Sequence, residues 1–374
     1  MAIQQRSLAA SHRPVVSVTK LQYNGGREER QGNAMPKGFF SQGLCILLSE
    51  PVSLDRIAQA LRGFEIVGQP TGGDDELIDL PSLLLGFRPD VDGQVLLSVV
   101  ENRWPDEMGD PQEQPDVFVA WSLGQFGPLA YPGCLERATE QAWAWEECRE
   151  ATQKHTCFIR VLCSYVIGVA DEDAPLLPED YDAIDEMEYL TKIAAALLTI
   201  PEAICYFNPG GEVLRDEDGL REGLNYAWSH HLPPLDMWTN VRLFRATDEW
   251  SLMDTVGNGQ FDLPDVEAAY LADKYEATEV EGFLRNASLY MLKEGDVIEE
   301  DDTADGPGDI VWRAILCDDA LTDPPRPTVR WFPDDGSEAP TELTDTGLSD
   351  DEIEEQLDEL MDFEDPEDDN EMPF

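Results

Sequence analysis

An α+β fold of two similar strand–helix–strand–hairpin units, with added helices and one shared core, is what this sequence predicts, on three observations. Apolar runs of strand length alternate with stretches of helical period; the alternation passes twice through a comparable order; turn residues separate the runs at hairpin spacing. The first pass opens with "GLCILLSE" at 43–50. A helix over 53–62 follows, with Leu54, Ile57, Ala58 and Leu61 on one face and Ser53 placed to cap it. Then come "FEIVGQ", "SLLLGF", a turn at Pro89–Gly93, and "QVLLSVVEN".

The second pass opens with "CFIRVLCSYVIG" at 157–168 and a helix over 183–199, where Ile184, Met187, Leu190, Ala194 and Leu197 fall in register. The strand "AICYF" turns at Asn208-Pro209-Gly210-Gly211 into "EVL". An extra helix over 217–229 precedes the hairpin of "TNVRLFRA" and "EWSLMDTVGN". Both passes end a strand at an Asn, Asn102 and Asn258, which suggests an internal duplication. Two further helices are expected, a long amphipathic one over 134–154 and another over 264–275 with Pro264 in its first turn. A final strand pair is expected from "SLYMLKEGDVI" and "DIVWRAIL".

The domain organisation follows. Residues 1–36 are polar and read as a disordered arm or as sequence upstream of the true start, since Met35 lies just before the first strand. Residues 37–156 form the first half, 157–333 the second, and 334–374 an acidic tail. From Glu342 the tail holds sixteen acidic residues and no Lys or Arg, so it should be solvated. Within it, 349–361 reads as a short amphipathic helix, Ser349 and Glu352 making a capping box. Its stripe of Ile353, Leu357, Leu360 and Met361 is the candidate partner-docking surface.

Charge narrows the functions. With 78 acidic and 25 basic residues the formal net charge is −53, which disfavours nucleic acid and anionic membrane as partners and favours a basic protein. The seven cysteines are odd in number and lack a CxxC pair, as expected of reduced thiols in a cytoplasm. No apolar run reaches the length of a membrane span.

Each candidate site has a plainer reading beside it. The stretch "DTVGNGQFDLPD", 254–265, has the acids, Asn258 and Gly259 of a calcium loop. Val256 offers no ligand oxygen at the third position, Asp265 is short for the twelfth, and a strand stands where an entering helix is needed. A strand-to-helix turn is preferred, with Gly257 and Gly259 for unusual backbone angles and Asp262 as a helix cap. The acidic run 299–305 could hold a divalent cation but reads better as solvated. Cys134, at a helix start, would have its thiol pKa lowered by the dipole, yet His155 lies at the far end of the same predicted helix. His230 and His231 read as helix-end residues, and 208–211 as a hairpin turn without the Lys of a P-loop. No catalytic residue, metal ligand or cofactor is therefore assigned.

The segment 157–316 resembles the bacterial family called domain of unknown function 4261, through "ALLTIPEAICYFNPGGEVL", "LPPLDMWTNVRLF", "LMDTVGNGQFDLPDVEA" and "FLRNASLYMLKEGDVIEEDDT". The resemblance implies an intracellular bacterial protein without an assigned activity, and it carries over no functional residues. The expectation is thus a non-catalytic cytoplasmic module that binds a basic protein, its oligomeric state open. The alternatives are a hydrolase or transferase using Asp254, Asp262 or Cys134, and an acidic mimic of nucleic acid.

Overall fold

A computed structural model describes residues 37–71, 78–169 and 175–346. They form two sheets with helices packed on them, so the chain is α+β. The first sheet is antiparallel throughout. It contains β1 (Gln42–Leu48), β2 (Ile66–Gly68), β3 (Ser82–Gly86), β4 (Gln94–Val100), β5 (Cys157–Ser164), β6 (Ala203–Asn208) and β7 (Val213–Arg215), in the order β2-β3-β4-β5-β1-β6-β7. Strands β1 and β5 lie at its centre and are buried along their whole length, which is why both read as apolar runs rather than alternations. Leu44, Ile46 and Leu48 face one core, and Cys45 and Leu47 the other.

Helices α1 (Leu54–Ala60), α5 (Ala183–Leu197) and α6 (Glu217–Ser229) cover the first face. Ser53 caps α1 as expected, accepting from the Arg56 amide, and Asp182 caps α5 by accepting from Ile184 and Asp185. Met187, Leu190, Ala194 and Leu197 are buried along α5, the stripe its period predicts, while Ile184 is half-buried at its start. On the opposite face lie α2 (Pro115–Ser122), α3 (Cys134–Glu140) and α4 (Cys148–Thr152), around Trp104, Trp121, Phe126 and Phe158. Trp104 packs edge-on to Trp121, Phe126 and Phe207, arrangements worth about 0.5–1.5 kcal/mol each beyond buried area.

The second sheet runs β11-β12-β13-β10-β9-β8, from β8 (Asn240–Arg245), β9 (Trp250–Val256), β10 (Asp265–Leu271), β11 (Thr303–Gly306), β12 (Ile310–Cys317) and β13 (Thr328–Pro333). Only the β10–β13 pair is parallel. Helix α7 (Ala277–Glu294) covers one face, burying Val280, Leu284 and Met291 against Tyr270, Trp312 and Trp331. The short α8 (Thr341–Thr344) covers part of the other, with Leu343 against Trp250 and Leu252.

Several expectations are corrected. Most of 264–275 is strand β10 (Asp265–Leu271), not a helix: Val266, Ala268 and Tyr270 face α7, and the alternate Asp265 and Glu267 are buried against arginines instead of facing water. "SLYMLKEGDVI" begins in the last half of α7, not a strand, because Val280, Leu284, Ser288 and Met291 recur at helical spacing. The single helix over 134–154 is broken into α3 and α4. The break frees Gln141, whose side chain accepts from the Leu243 amide (3.2 Å) and donates to the Leu243 carbonyl (3.4 Å). An amide side chain thereby closes part of the outer edge of β8. The duplication is not confirmed, since the first hairpin (β3–β4) lies in the first sheet and the second (β8–β9) in the other. Residues 334–346, placed in the tail from sequence, belong to the fold: Leu343 is buried, and Arg330 donates to the carbonyls of Leu343 and Asp345. The docking stripe Ile353, Leu357, Leu360 and Met361 and the arm 1–36 lie outside the described residues.

Candidate functional site

The stretch 254–265 joins β9 to β10 through one tight turn at Asn258–Phe261, with Gly257 at φ 130. Its two terminal acids do meet a cation, but one supplied by the chain. Arg326, 7% exposed at its side chain, sits between them, with Nη2 2.6 Å from Asp254 Oδ2 and Nε 3.2 Å from Asp265 Oδ2. Asp254 also takes a fork from Arg242, at 3.0 and 2.6 Å, and accepts from the Thr322 hydroxyl. Asp265 accepts from Thr255 Oγ1 (2.7 Å) and from the amides of Asn258 (3.1 Å) and Gly257 (3.3 Å), so it holds the turn together from inside. Glu212, in the β6–β7 turn, bonds Arg242 at 3.0 Å and Arg137 of α3 at 2.7 Å. The ion network therefore ties the first sheet to the second.

Electrostatics divide these carboxylates. Burial pushes Asp254 up, but Arg242 and Arg326 outweigh it and hold the carboxyl below its ordinary value. Asp265 and Glu212 are raised, because burial exceeds what their arginines return. Glu267 repeats the theme one layer on, pairing with Arg330 at 2.7 Å. Such pairs add little net stability over an apolar core, yet removing one partner strands a charge at a cost of about 3–5 kcal/mol.

Beside this network, Arg137, Gln141, Arg242, Phe244, Thr322 and Asp323 line a cavity of about 150 Å³. A larger groove of about 240 Å³ opens between the start of α5, the turn after β9 and the end of α7. Tyr181 forms part of its wall, and its hydroxyl accepts from the ammonium of Lys37 at 2.7 Å. Lys37, 6% exposed, also donates to the Gln260 carbonyl (3.0 Å) and to Asp262 (3.2 Å), and burial lowers its pKa against the pull of Asp262.

Near Lys37, Glu186 is 1% exposed and accepts from Ser41 Oγ at 3.0 Å. Burial raises its pKa despite the neighbouring Tyr165, Ser41, Cys163 and Lys37. A carboxyl raised in the fold contributes stability that is complete below its unfolded value and is lost as pH rises through the folded one. Glu186→Gln, neutral at all pH, should therefore melt higher than wild type at pH 7, with the gap closing toward pH 4. Thermal melts across that range check this, and a pH-independent difference would contradict it.

The remaining candidates resolve individually. Cys134 is fully buried in the aromatic cluster, and its thiol is raised, first by burial and then by Asp106 and Glu212. Asp106 occupies the start of α3, accepting from the Leu135 and Glu136 amides, so the dipole's anion position is already filled. His155 is buried, accepts from the Trp104 amide at 3.0 Å and faces the Thr152 carbonyl, which makes it a neutral clasp with protonated Nδ1. His230 caps α6 and its ring meets the Tyr226 carbonyl at 2.8 Å; His231 follows with φ 56. Asp262 starts no helix; it ends the turn in the left-handed region and lines the groove. The hairpin at 208–211 is confirmed by the β6–β7 pairing. In the acidic run, Glu300 accepts from the Leu316 amide (2.6 Å), Asp302 from the Glu299 amide (3.0 Å), and Asp301 lies by Arg313. These acids serve the backbone and edge of β12, and among the described residues no group of His, Cys, Asp and Glu is arranged for a metal. All seven cysteines are buried and unpaired, and no described helix is long and apolar enough to cross a membrane.

The fold and site thus define an α+β chain whose second sheet is built on a buried arginine–carboxylate lattice. Residues 254–332 match the family described as Domain of unknown function (DUF4261). The match covers under a quarter of the chain. It begins at Asp254 and takes in Asp265, Glu267, Arg326 and Arg330, which is most of the lattice. No curated protein and no solved structure matches the chain.

Proposed function

We propose that the protein is a non-catalytic cytoplasmic binding module whose partner is a basic protein. The disposition of the positive side chains carries this reading. Arg242, Arg326 and Arg330 are buried against Asp254, Asp265, Glu212 and Glu267. Surface cations are neutralised next door, as in Lys154–Glu150, Lys192–Glu188 and Arg221–Asp218. A chain of net charge −53, with most of its described cations paired to carboxylates, presents a surface that steers basic partners toward it and repels nucleic acid and anionic lipid. Seven unpaired thiols suit a reducing compartment.

The three side chains that an enzyme reading would use do not support that alternative. Asp254 is saturated by two arginines, Cys134 is sealed among aromatic rings, and Asp262 lines a separate groove. Affinity capture from the source cell's extract, using the full chain and a form ending at residue 346, tests the proposal. Captured proteins should be predominantly basic and should elute as ionic strength rises. A captured set without basic bias, or one insensitive to salt, would overturn it.

A further inference from the structure

We propose that the groove between α5, the turn after β9 and α7 receives a lysine or arginine side chain of the partner protein. The inference rests on the binding reading above and gives that reading a place on the molecule. At about 240 Å³ the groove is smaller than the roughly 300–1,000 Å³ of small-molecule sites and suits a single inserted side chain. Its apolar walls, Ile184, Phe261, Leu263 and Leu292, match the methylene stem of such a residue.

Its rim matches the charged end. Asp182 and Asp262 are both exposed and line the opening. The amides of Ile184 and Asp185 bond only Oδ1 of Asp182, so that carboxylate keeps an oxygen clear of its helix-capping role. The C-terminal turn of α7, at Met291 to Gly295, adds the negative end of an 18-residue helix.

A second, independent feature points the same way. Next to Tyr181 and Lys37 one buried acceptor is left over. Gln42 Oε1 is buried without a hydrogen-bond partner among the described residues, on a side chain more than nine-tenths buried, and Glu186 beside it accepts from Ser41 and Tyr165. Lys37, the cation of this region, is already divided among Tyr181, Gln260 and Asp262. An anion would meet two carboxylates at the entrance, whereas a donor-rich cation meets acceptors there.

Fluorescein-labelled hexalysine, titrated into the full chain at physiological ionic strength, is the probe. Asn preserves both local geometries, capping a helix as Asp does and tolerating the left-handed region. Asp182→Asn with Asp262→Asn should weaken binding at least tenfold. A control pair, Asp218→Asn with Asp248→Asn, removes the same charge at exposed positions elsewhere and should change binding less than twofold. Asp182→Asn alone leaves the partners of Lys37 untouched; it should weaken binding about threefold, and it decides the matter if the double variant melts early. Equal losses in groove and control variants, or none in the groove variants, would place the peptide in the diffuse acidic field and overturn the groove, leaving the basic-partner reading intact. Failure of hexalysine to bind any form would overturn both.

Discussion

Gly211→Ala is expected to destabilise the fold by about 3 kcal/mol or more, at the upper end of overpacking costs. A Cβ at this position would lie 1.8 Å from the Trp238 carbonyl oxygen and 2.8 Å from its carbon. Neither atom is the tip of a flexible side chain, so backbone must move. The Trp238 carbonyl is also a shared acceptor, bonded by Asn208 Nδ2 at 3.0 Å and Gln260 Nε2 at 2.9 Å. Shifting it therefore disturbs the β6–β7 turn and the turn after β9 together. Gly257 approaches the same oxygen from the other sheet, where an added Cβ would stand 2.6 Å away. Two glycines thus let two turns close on one carbonyl. Gly282→Ala is the control: it lies inside α7 with nothing within 4 Å of the added methyl, and should stabilise by up to about 1 kcal/mol. Urea denaturation of both variants checks the pair. A loss below about 1 kcal/mol at Gly211 would show that the turns are not locked together.

The second large effect belongs to Arg326→Met, expected to cost about 3–5 kcal/mol because it leaves two buried carboxylates sharing too few cations. Asp254 would keep Arg242, but Asp265 would keep only Thr255 and two amides. Loss should show a pH signature of defined sign. Asp254 is depressed in the fold, so its contribution is present above the unfolded carboxylate value and disappears as pH falls through the folded one. Without Arg326 that contribution shrinks, and the variant should differ from wild type most at neutral pH and least in acid. A deficit that grows toward low pH would contradict this.

How much of this was legible in the sequence depends on where each residue's partners lie. Elements stabilised locally were readable: Ser53 and Asp182 cap helices three residues or fewer away, and the apolar run of β1 needs no distant information. Strand β10 was not, since Asp265 and Glu267 look like solvated positions until Arg326 and Arg330, some sixty residues on, are placed beneath them. With those arginines unseen, Pro264 and the alanines of "PDVEAAYLADKY" favoured a helix. The break between α3 and α4 was hidden for the same reason, because Gln141 is committed to Leu243 in another sheet. At the site, the sequence reading set calcium aside on Val256 and the missing helix. It did not find the internal cation, since "DPPRP" carries no mark that its Arg points inward. The signal was available in weaker form: several acids on apolar strands demand buried counter-charges somewhere in the chain.

The acids at both ends of 254–265 are held for a guanidinium of the same chain. A double-mutant cycle of Asp265→Asn and Arg326→Met, followed by urea denaturation, measures it most directly. The predicted coupling is about 1–3 kcal/mol, with the double variant more stable than the sum of the single losses. Losses additive to within about 0.5 kcal/mol would mean that the two side chains do not sense each other, and would contradict the account.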